Sequence, residues 1–181
     1  MKISSLKIPD IKLIELQIFE DKRGYFFESF NQKKFNKYIG ADTTFVQDNQ
    51  SKSSEGVLRG LHFQKEPYSQ GKLVQVLRGE IFDVVVDVRK GSKTFAKWLG
   101  IYLNDKERKQ LWIPNGFAHG FMTISQEAII SYKVTNYYRK EYEVTISHDD
   151  KKLAINWPKN IPKIISDKDM SGISLEDFLL M

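Results

Sequence analysis

Short apolar runs follow one another along this chain, each closed by glycine or a polar turn, and such a chain has few ways to fold other than as stacked β-strands. The runs predict strands at 11–19, 24–30, 44–50, 57–64, 71–78, 80–88, 97–103, 109–113, 117–124 and 127–138. Gly79-Glu80 separates two runs and reads as a hairpin, while Lys90-Gly91-Ser92 and Asn104-Asp105-Lys106 read as turns. Two helices are predicted. One spans about 31–39, opening near Asn31 and stopping at Gly40; the other spans about 174–180, where Ser174 and Asp177 have capping-box spacing. The expectation is an all-β fold, a sandwich or barrel with a few short helices.

Period-two geometry then sorts the side chains. Lys72, Val74, Val76 and Arg78 share one face of their strand; Phe117, His119, Phe121 and Thr123 share another; Ala128, Ile130, Tyr132 and Val134 a third. His62 stands in a similar wall, Val57-Leu58-Arg59-Gly60-Leu61-His62-Phe63. Polar groups among apolar walls cost free energy unless paired. Their gathering predicts a polar cavity, although a core with satisfied polar groups fits the same pattern. Arg59 and His62 have opposite parity, so they share a cavity only if Gly60 marks a bulge or bend.

The 181 residues, 41% hydrophobic and 28% charged, suffice for one soluble domain with a sizeable core. No repeat, low-complexity tract or linker divides them, so one domain spanning 1–181 is expected. Cysteine is absent, which rules out a disulfide or a thiolate nucleophile and is compatible with the cytoplasm. No apolar stretch has the length of a signal peptide core or a membrane span. The formal charge is +5, but the basic residues are scattered among acids, as in Asp105-Lys106-Glu107-Arg108-Lys109, and form no stripe for nucleic acid.

Three chemistries compete for the candidate residues. For a metal, Pro114-Asn115-Gly116-Phe117-Ala118-His119 resembles the second motif of the cupins, β-barrels that often bind metal through histidines and a glutamate. The first motif offers only Leu61-His62-Phe63-Gln64, with glutamine where a second histidine would stand, a poor set for a transition metal. For acid–base work, a histidine suits a general base near neutral pH. Lys72 can offer positive charge to an oxyanion, Tyr132 can give or take a proton, and Asp169 can orient an imidazole. Each also has a plainer reading: Lys72 as a solvated turn residue after Gly71, Tyr132 as an aromatic of the core. For anion binding, Arg23-Gly24 and Arg59-Gly60 suit close approach of a phosphate. No Walker loop or GxGxxG motif is present.

Ordered segments along nearly the whole chain resemble the dTDP-4-dehydrorhamnose 3,5-epimerase family. They include Arg23-Gly24-Tyr25-Phe26-Phe27-Glu28, Phe45-Val46-Gln47-Asp48-Asn49-Gln50-Ser51, Val57-Leu58-Arg59-Gly60-Leu61-His62-Phe63-Gln64 and Gln70-Gly71-Lys72-Leu73-Val74. Further on come Gly116-Phe117-Ala118-His119-Gly120-Phe121, Tyr132-Lys133-Val134-Thr135-Asn136-Tyr137-Tyr138 and Ser166-Asp167-Lys168-Asp169. The resemblance implies a cupin-like, metal-free barrel with no cofactor, a homodimer in which an N-terminal strand crosses to the partner, and epimerisation of a nucleotide-linked 4-keto-6-deoxy sugar for surface carbohydrate. It implies His62 as base, Asp169 as its carboxylate partner, Tyr132 as the residue that reprotonates from the opposite face, and Lys72 and His119 around the keto oxygen and ring hydroxyls. It assigns Arg23, Arg59 and Gln47 to diphosphate and nucleotide, Phe26 and Glu28 to nucleotide, and Tyr138 to the neighbourhood of the stacked base. Asn49, Phe121 and Lys168 complete the implied substrate-binding set.

Residues 139–150 depart from the family's usual run: a proline, a glycine and an Arg-Trp pair are missing. The segment adjoins the nucleotide end that the resemblance implies, so GDP-linked heptoses and inversion of a single carbon stay open. A 3,4-ketoisomerase would carry a second histidine near the base, which Phe63-Gln64 does not supply, and a silent sugar-nucleotide binder needs neither an acid nor a base.

Overall fold

The structure is a computed structural model that describes residues 1–40 and 43–181. Two sheets face one another, as in a cupin-like jelly roll. The first contains Lys2–Ser5 (β1) and Lys12–Glu15 (β2), after which the chain leaves it for a separate hairpin of Ile18–Asp21 (β3) and Gly24–Phe27 (β4). Helix Gln32–Ile39 (α1) follows, then the strands Gln47–Ser54 (β5), Val57–Gln64 (β6), Lys72–Arg78 (β7), Glu80–Asp87 (β8), Trp98–Asn104 (β9), Gln110–Ile113 (β10), Phe117–Thr123 (β11) and Glu127–Val134 (β12). A turn of 3-10 helix leads into Glu143–Thr145 (β13), and the chain ends with Ile164–Ile165 (β14), Asp167–Met170 (α2) and Leu175–Leu180 (α3). The first sheet has the order β1-β2-β10-β7-β12-β5; the second runs β13-β6-β11-β8-β9, with β14 beside β6.

The predicted helices form where their caps allow. The Asn31 side chain accepts from Lys34 N–H, and Gly40 closes α1 in the left-handed region. Ser174 accepts from Asp177 N–H at the start of α3. The boundaries of several strands differ from expectation. The run 11–19 is not one strand, because β2 pairs with β10 in the sheet while β3 pairs only with β4. The run 24–30 ends at Phe27 and 127–138 ends at Val134. The strand expected at 44–50 lies at 47–54: its later residues, Ser51-Lys52-Ser53-Ser54, carry no apolar signal, yet they pair with Glu127–Ile130 of β12. Strands β1, β13 and β14 and helix α2 are too short to leave a periodic pattern.

Between the sheets, Val74, Val76, Ile81, Val85, Phe117, Phe121 and Ile130 form a buried core. The outer face of the second sheet is covered too. Val84, Val86, Met122, Trp157, Leu175 and Phe178 pack there. That explains why Ile81-Phe82-Asp83-Val84-Val85-Val86-Asp87 is apolar at both parities. On the first sheet's outer face, Phe35 of α1 meets Phe45 and Trp112 edge-on at 5.1 and 5.2 Å.

The feature of the fold that matters most for the site is at Gly60. Pairing of β11 with β6 runs His119↔His62 and then Phe121↔Arg59, so one residue of β11 stands against two of β6. Gly60 has φ +124°, and a Cβ there would sit 2.5 Å from Gly120 Cα. This is the bulge that the parity of Arg59 and His62 required, and both side chains enter one cavity. Gly60→Ala is therefore expected to lower stability by about 2 kcal/mol or more. Urea unfolding of the variant measures this; a loss within experimental error would mean that the backbone here is not constrained.

Candidate active site

The cavity lies between the two sheets at one end of the sandwich. Two adjoining hollows of about 290 and 320 Å³ share His62, Lys72, Tyr132, Tyr138 and Glu143 as walls. The second sheet contributes His62 and Arg59 from β6 and His119 and Phe121 from β11. The first sheet contributes Lys72 from β7, Tyr132 from β12, and Gln47, Asn49 and Ser51 from β5. Strand β5 explains its own weak sequence signal: its less exposed face, Gln47, Asn49, Ser51 and Ser53, is polar because it lines a cavity and not a core.

His62 and Asp169 come from residues 107 apart in sequence. Strand β14 runs parallel to β6, pairing Ile164 with Val57 and Ile165 with Leu58, and so lays α2 along the strand that carries His62. Ser166 accepts from Asp169 N–H, and Asp169 is buried. His62 Nε2 is 2.5 Å from Asp169 Oδ1. Burial alone would raise the Asp169 carboxyl, but hydrogen bonds from His62, Ser166 and the Gly60 N–H, with the His62 charge, hold it below its ordinary range. An ionised carboxylate only accepts hydrogen bonds, so Nε2 donates to it, and whenever the ring is neutral the lone pair is on Nδ1.

Lys72 is 8% exposed, which removes the solvated-turn reading. Its Nζ donates to the His62 carbonyl at 3.1 Å. Burial pushes its ammonium down to about 8, against the attraction of Asp83 and Glu143. His119 Nε2 lies 2.8 Å from Asp83 Oδ2, both residues being buried. Burial raises the Tyr132 phenol, opposed by Arg59 and reinforced by Glu143, so the hydroxyl keeps its proton at neutral pH. Arg59 donates through Nε to Ser53 Oγ at 3.1 Å.

At the outer end, Tyr138 and Lys168 converge on Glu143. Its Oε2 accepts from the Tyr138 hydroxyl at 2.9 Å and from Lys168 Nζ at 2.6 Å. Burial would raise the Glu143 carboxyl; the bonds from Lys168 and Tyr138 outweigh it and hold it low. Glu143 and Asp83 went unnoticed in the sequence. Glu143 lies in the atypical run 139–150, and Asp83 looks like any polar interruption of a strand. Gln64, in the place of a second histidine, is wholly engaged elsewhere. Its amide donates to the Tyr68 and Tyr137 carbonyls, and its oxygen accepts from Arg139 N–H, which fixes the segment bearing Tyr138. Among the described residues no group of three His, Cys, Asp or Glu side chains is arranged to hold a metal ion.

Three expected residues are not at this cavity within the chain. Arg23, on the turn of the β3–β4 hairpin, bonds Asp21 at 2.6 Å. Phe26 is 71% exposed, and Glu28 holds Asn31 and Lys34. Phe26 and Glu28 border a separate hollow under the hairpin.

The model of the dTDP-4-dehydrorhamnose 3,5-epimerase family matches residues 5–177. A dTDP-4-dehydrorhamnose 3,5-epimerase of Shigella flexneri is 51% identical over 98% of this chain and 97% of the relative. The crystal structure of a dTDP-6-deoxy-D-glucose-3,5-epimerase of Legionella pneumophila, in complex with dTDP-4-keto-L-rhamnose, superposes with a TM-score of 0.94 at 47% identity, covering 97% of this chain and 93% of that one. A 3'-monoepimerase of Streptomyces bikiniensis, in complex with dTDP-quinovose, has a TM-score of 0.92 at 30% identity, covering 98% and 91%. With a match this long and this close, on a cavity that already holds a histidine–carboxylate pair facing a tyrosine, the chain belongs to the dTDP-4-dehydrorhamnose 3,5-epimerase family.

Proposed function

We propose that the protein inverts C3 and C5 of a dTDP-linked 4-keto-6-deoxy sugar of the dehydrorhamnose type. The observation that carries this reading is the placement of a histidine base and a tyrosine acid on opposite sheets of one cavity. A sugar ring between them presents one face to each. His62, oriented by Asp169, removes the proton beside the C4 ketone. The electron pair moves onto the C4 oxygen, where Lys72 and His119 stabilise the enolate. Tyr132 returns a proton to the other face, and the centre is inverted. Both C3 and C5 flank the ketone, so one enolate-stabilising group serves both. Preorganised charge of this kind contributes about 10²–10³ in rate per good donor. Identity of 38–51% to the 3,5-epimerases, against 30% to the 3'-monoepimerase, supports inversion of both centres.

Arg59, Lys168, Gln47, Asn49 and Tyr138 hold the nucleotide diphosphate, and Phe121 packs against the sugar. The enzyme works in the cytoplasm as a homodimer. The β3–β4 hairpin, whose Phe19, Tyr25 and Phe26 lie exposed, crosses to a second copy and places Arg23, Phe26 and Glu28 at the cavity there.

NMR in D₂O with dTDP- and GDP-linked 4-keto sugars tests the reading. Label is expected to enter C3 and C5 of the dTDP sugar with inversion; exchange confined to the GDP sugar, or absent from both, would overturn it. His62→Ala is expected to lose about 10²–10⁴ in exchange rate, as for loss of a general base. Exchange within tenfold of wild type would remove His62 from the mechanism.

Tyr132→Phe is expected to separate deprotonation from inversion. His62 and Lys72 remain, so deuterium still enters from the base side with configuration retained, while epimer yield falls further than exchange does. Phenylalanine leaving both near wild type would make Tyr132 a packing residue, and equal loss of both would make it a sugar-positioning one.

The hairpin exchange is tested by complementation. In a heterodimer of Arg23→Ala and His62→Ala chains, the barrel that keeps His62 receives the intact hairpin, so mixing and re-annealing the two variants restores activity. No recovery would mean that each hairpin serves its own barrel or none.

A further inference from the structure

The reaction as written has no role for one of the best-buried charges in the molecule. Asp83 on β8 is wholly buried. Its strand neighbours of like parity, Ile81 and Val85, pack into the apolar core between the sheets. A carboxylate placed there is strongly disfavoured unless it is paired. Its Oδ2 is bonded to His119. Its Oδ1 is closed to solvent and takes no hydrogen bond from the described residues.

The buried cation on which the Asp83 charge acts is the lysine of the reaction. His119 pairs across the sheet with His62, and the His62 carbonyl receives Lys72 Nζ. Lys72, His62, His119 and Asp83 are thus linked through one chain of contacts, although in the sheet register Asp83 lies opposite Phe121 and Val85 opposite His119. The titratable groups facing Lys72 are Asp83 from β8, Glu143 from β13, the imidazoles of His62 from β6 and His119 from β11, and the phenol of Tyr132 from β12. Of the two carboxylates, Glu143 is already engaged by Lys168 and Tyr138 and is partly open to water, which screens it. Asp83 is dry, and its field acts at low dielectric.

We propose that Asp83 is a positioning residue for the epimerase: its charge beneath the cavity keeps the Lys72 ammonium protonated, while one of its oxygens fixes the ring of His119. Burial and Asp83 pull Lys72 in opposite directions. With the carboxylate neutralised, the opposition to burial is reduced and the lysine sheds its proton at lower pH. A neutral amine still donates a hydrogen bond but no longer offers positive charge to the enolate. The consequence for catalysis rests on the epimerase reading; the charge state of Lys72 does not.

Asp83→Asn tests this, because asparagine keeps the shape and can still accept from His119. The ammonium is followed directly by ¹⁵N NMR of lysine-labelled protein, with the Lys72 resonance assigned from Lys72→Arg. Wild-type Lys72 is expected to titrate near 8, and in Asp83→Asn at distinctly lower pH. Ring-proton exchange, falling in wild type as pH rises through about 8, falls at correspondingly lower pH in the variant, about tenfold at fixed pH for each unit of displacement, with dTDP affinity unchanged. An unmoved Lys72 titration overturns the proposal whether or not the sugar nucleotide is turned over, whereas a moved titration in a protein inert toward the sugar would fault only the epimerase reading. His119→Gln supplies a second variant that leaves the Asp83 charge in place. Lys72 titrating near 8 or above in it supports the proposal, and a fall equal to that in Asp83→Asn places the control in His119 and overturns it.

Discussion

Everything at the cavity depends on how closely two backbones approach where β6 passes β11. Glycine at both 60 and 120 lets the strands touch without side chains between them, and the extra residue this admits turns Arg59 to the same side as His62. Without that shift the guanidinium of Arg59 and the imidazole of His62 would lie on opposite faces of one strand. The same Gly60 offers its N–H to Asp169, so the bulge also helps to hold the carboxylate that His62 contacts.

The cavity is then a problem in managing charge out of water. Lys72, His119, Asp83 and Asp169 are all buried, and each is disfavoured there by itself. They are tolerated as sets, His62 with Asp169 and His119 with Asp83, with Lys72 bonded to the His62 carbonyl. The opposing pulls on each group leave Lys72 titrating within reach of physiological pH and Tyr132 holding its proton. His62 and Tyr132 are kept apart by being mounted on different sheets of one cavity, the separation that the proposed inversion requires.

Much of this was legible in strand parity. Lys72, His119 and Tyr132 sit where their apolar same-face neighbours put them, and the conflict between Arg59 and His62 by itself called for a bulge at Gly60. Other parts left no trace. Glu143 binds Tyr138 and Lys168 from a three-residue strand without periodicity. Asp83 is set apart from an ordinary strand aspartate only by what surrounds it, and β5 was displaced because a strand lining a polar cavity lacks the alternation by which strands are found. Arg23, Phe26 and Glu28 carry the family's motif, yet they stand away from the cavity on a projecting hairpin.

The sequence by itself determined the β architecture, the two caps that start α1 and α3, and which residue types face inward, since these follow from local periodicity and from side chains bonding to their own backbone neighbours. Tertiary structure decided which of the inward residues meet. The 2.5 Å contact between His62 and Asp169 spans 107 residues and exists because β14 lies parallel to β6; nothing local in either segment encodes it. It also decided the charge states, because the ionisation of Lys72 or Asp169 depends on the water excluded and the ions approached, and these are set by the whole fold and not by neighbours in the chain.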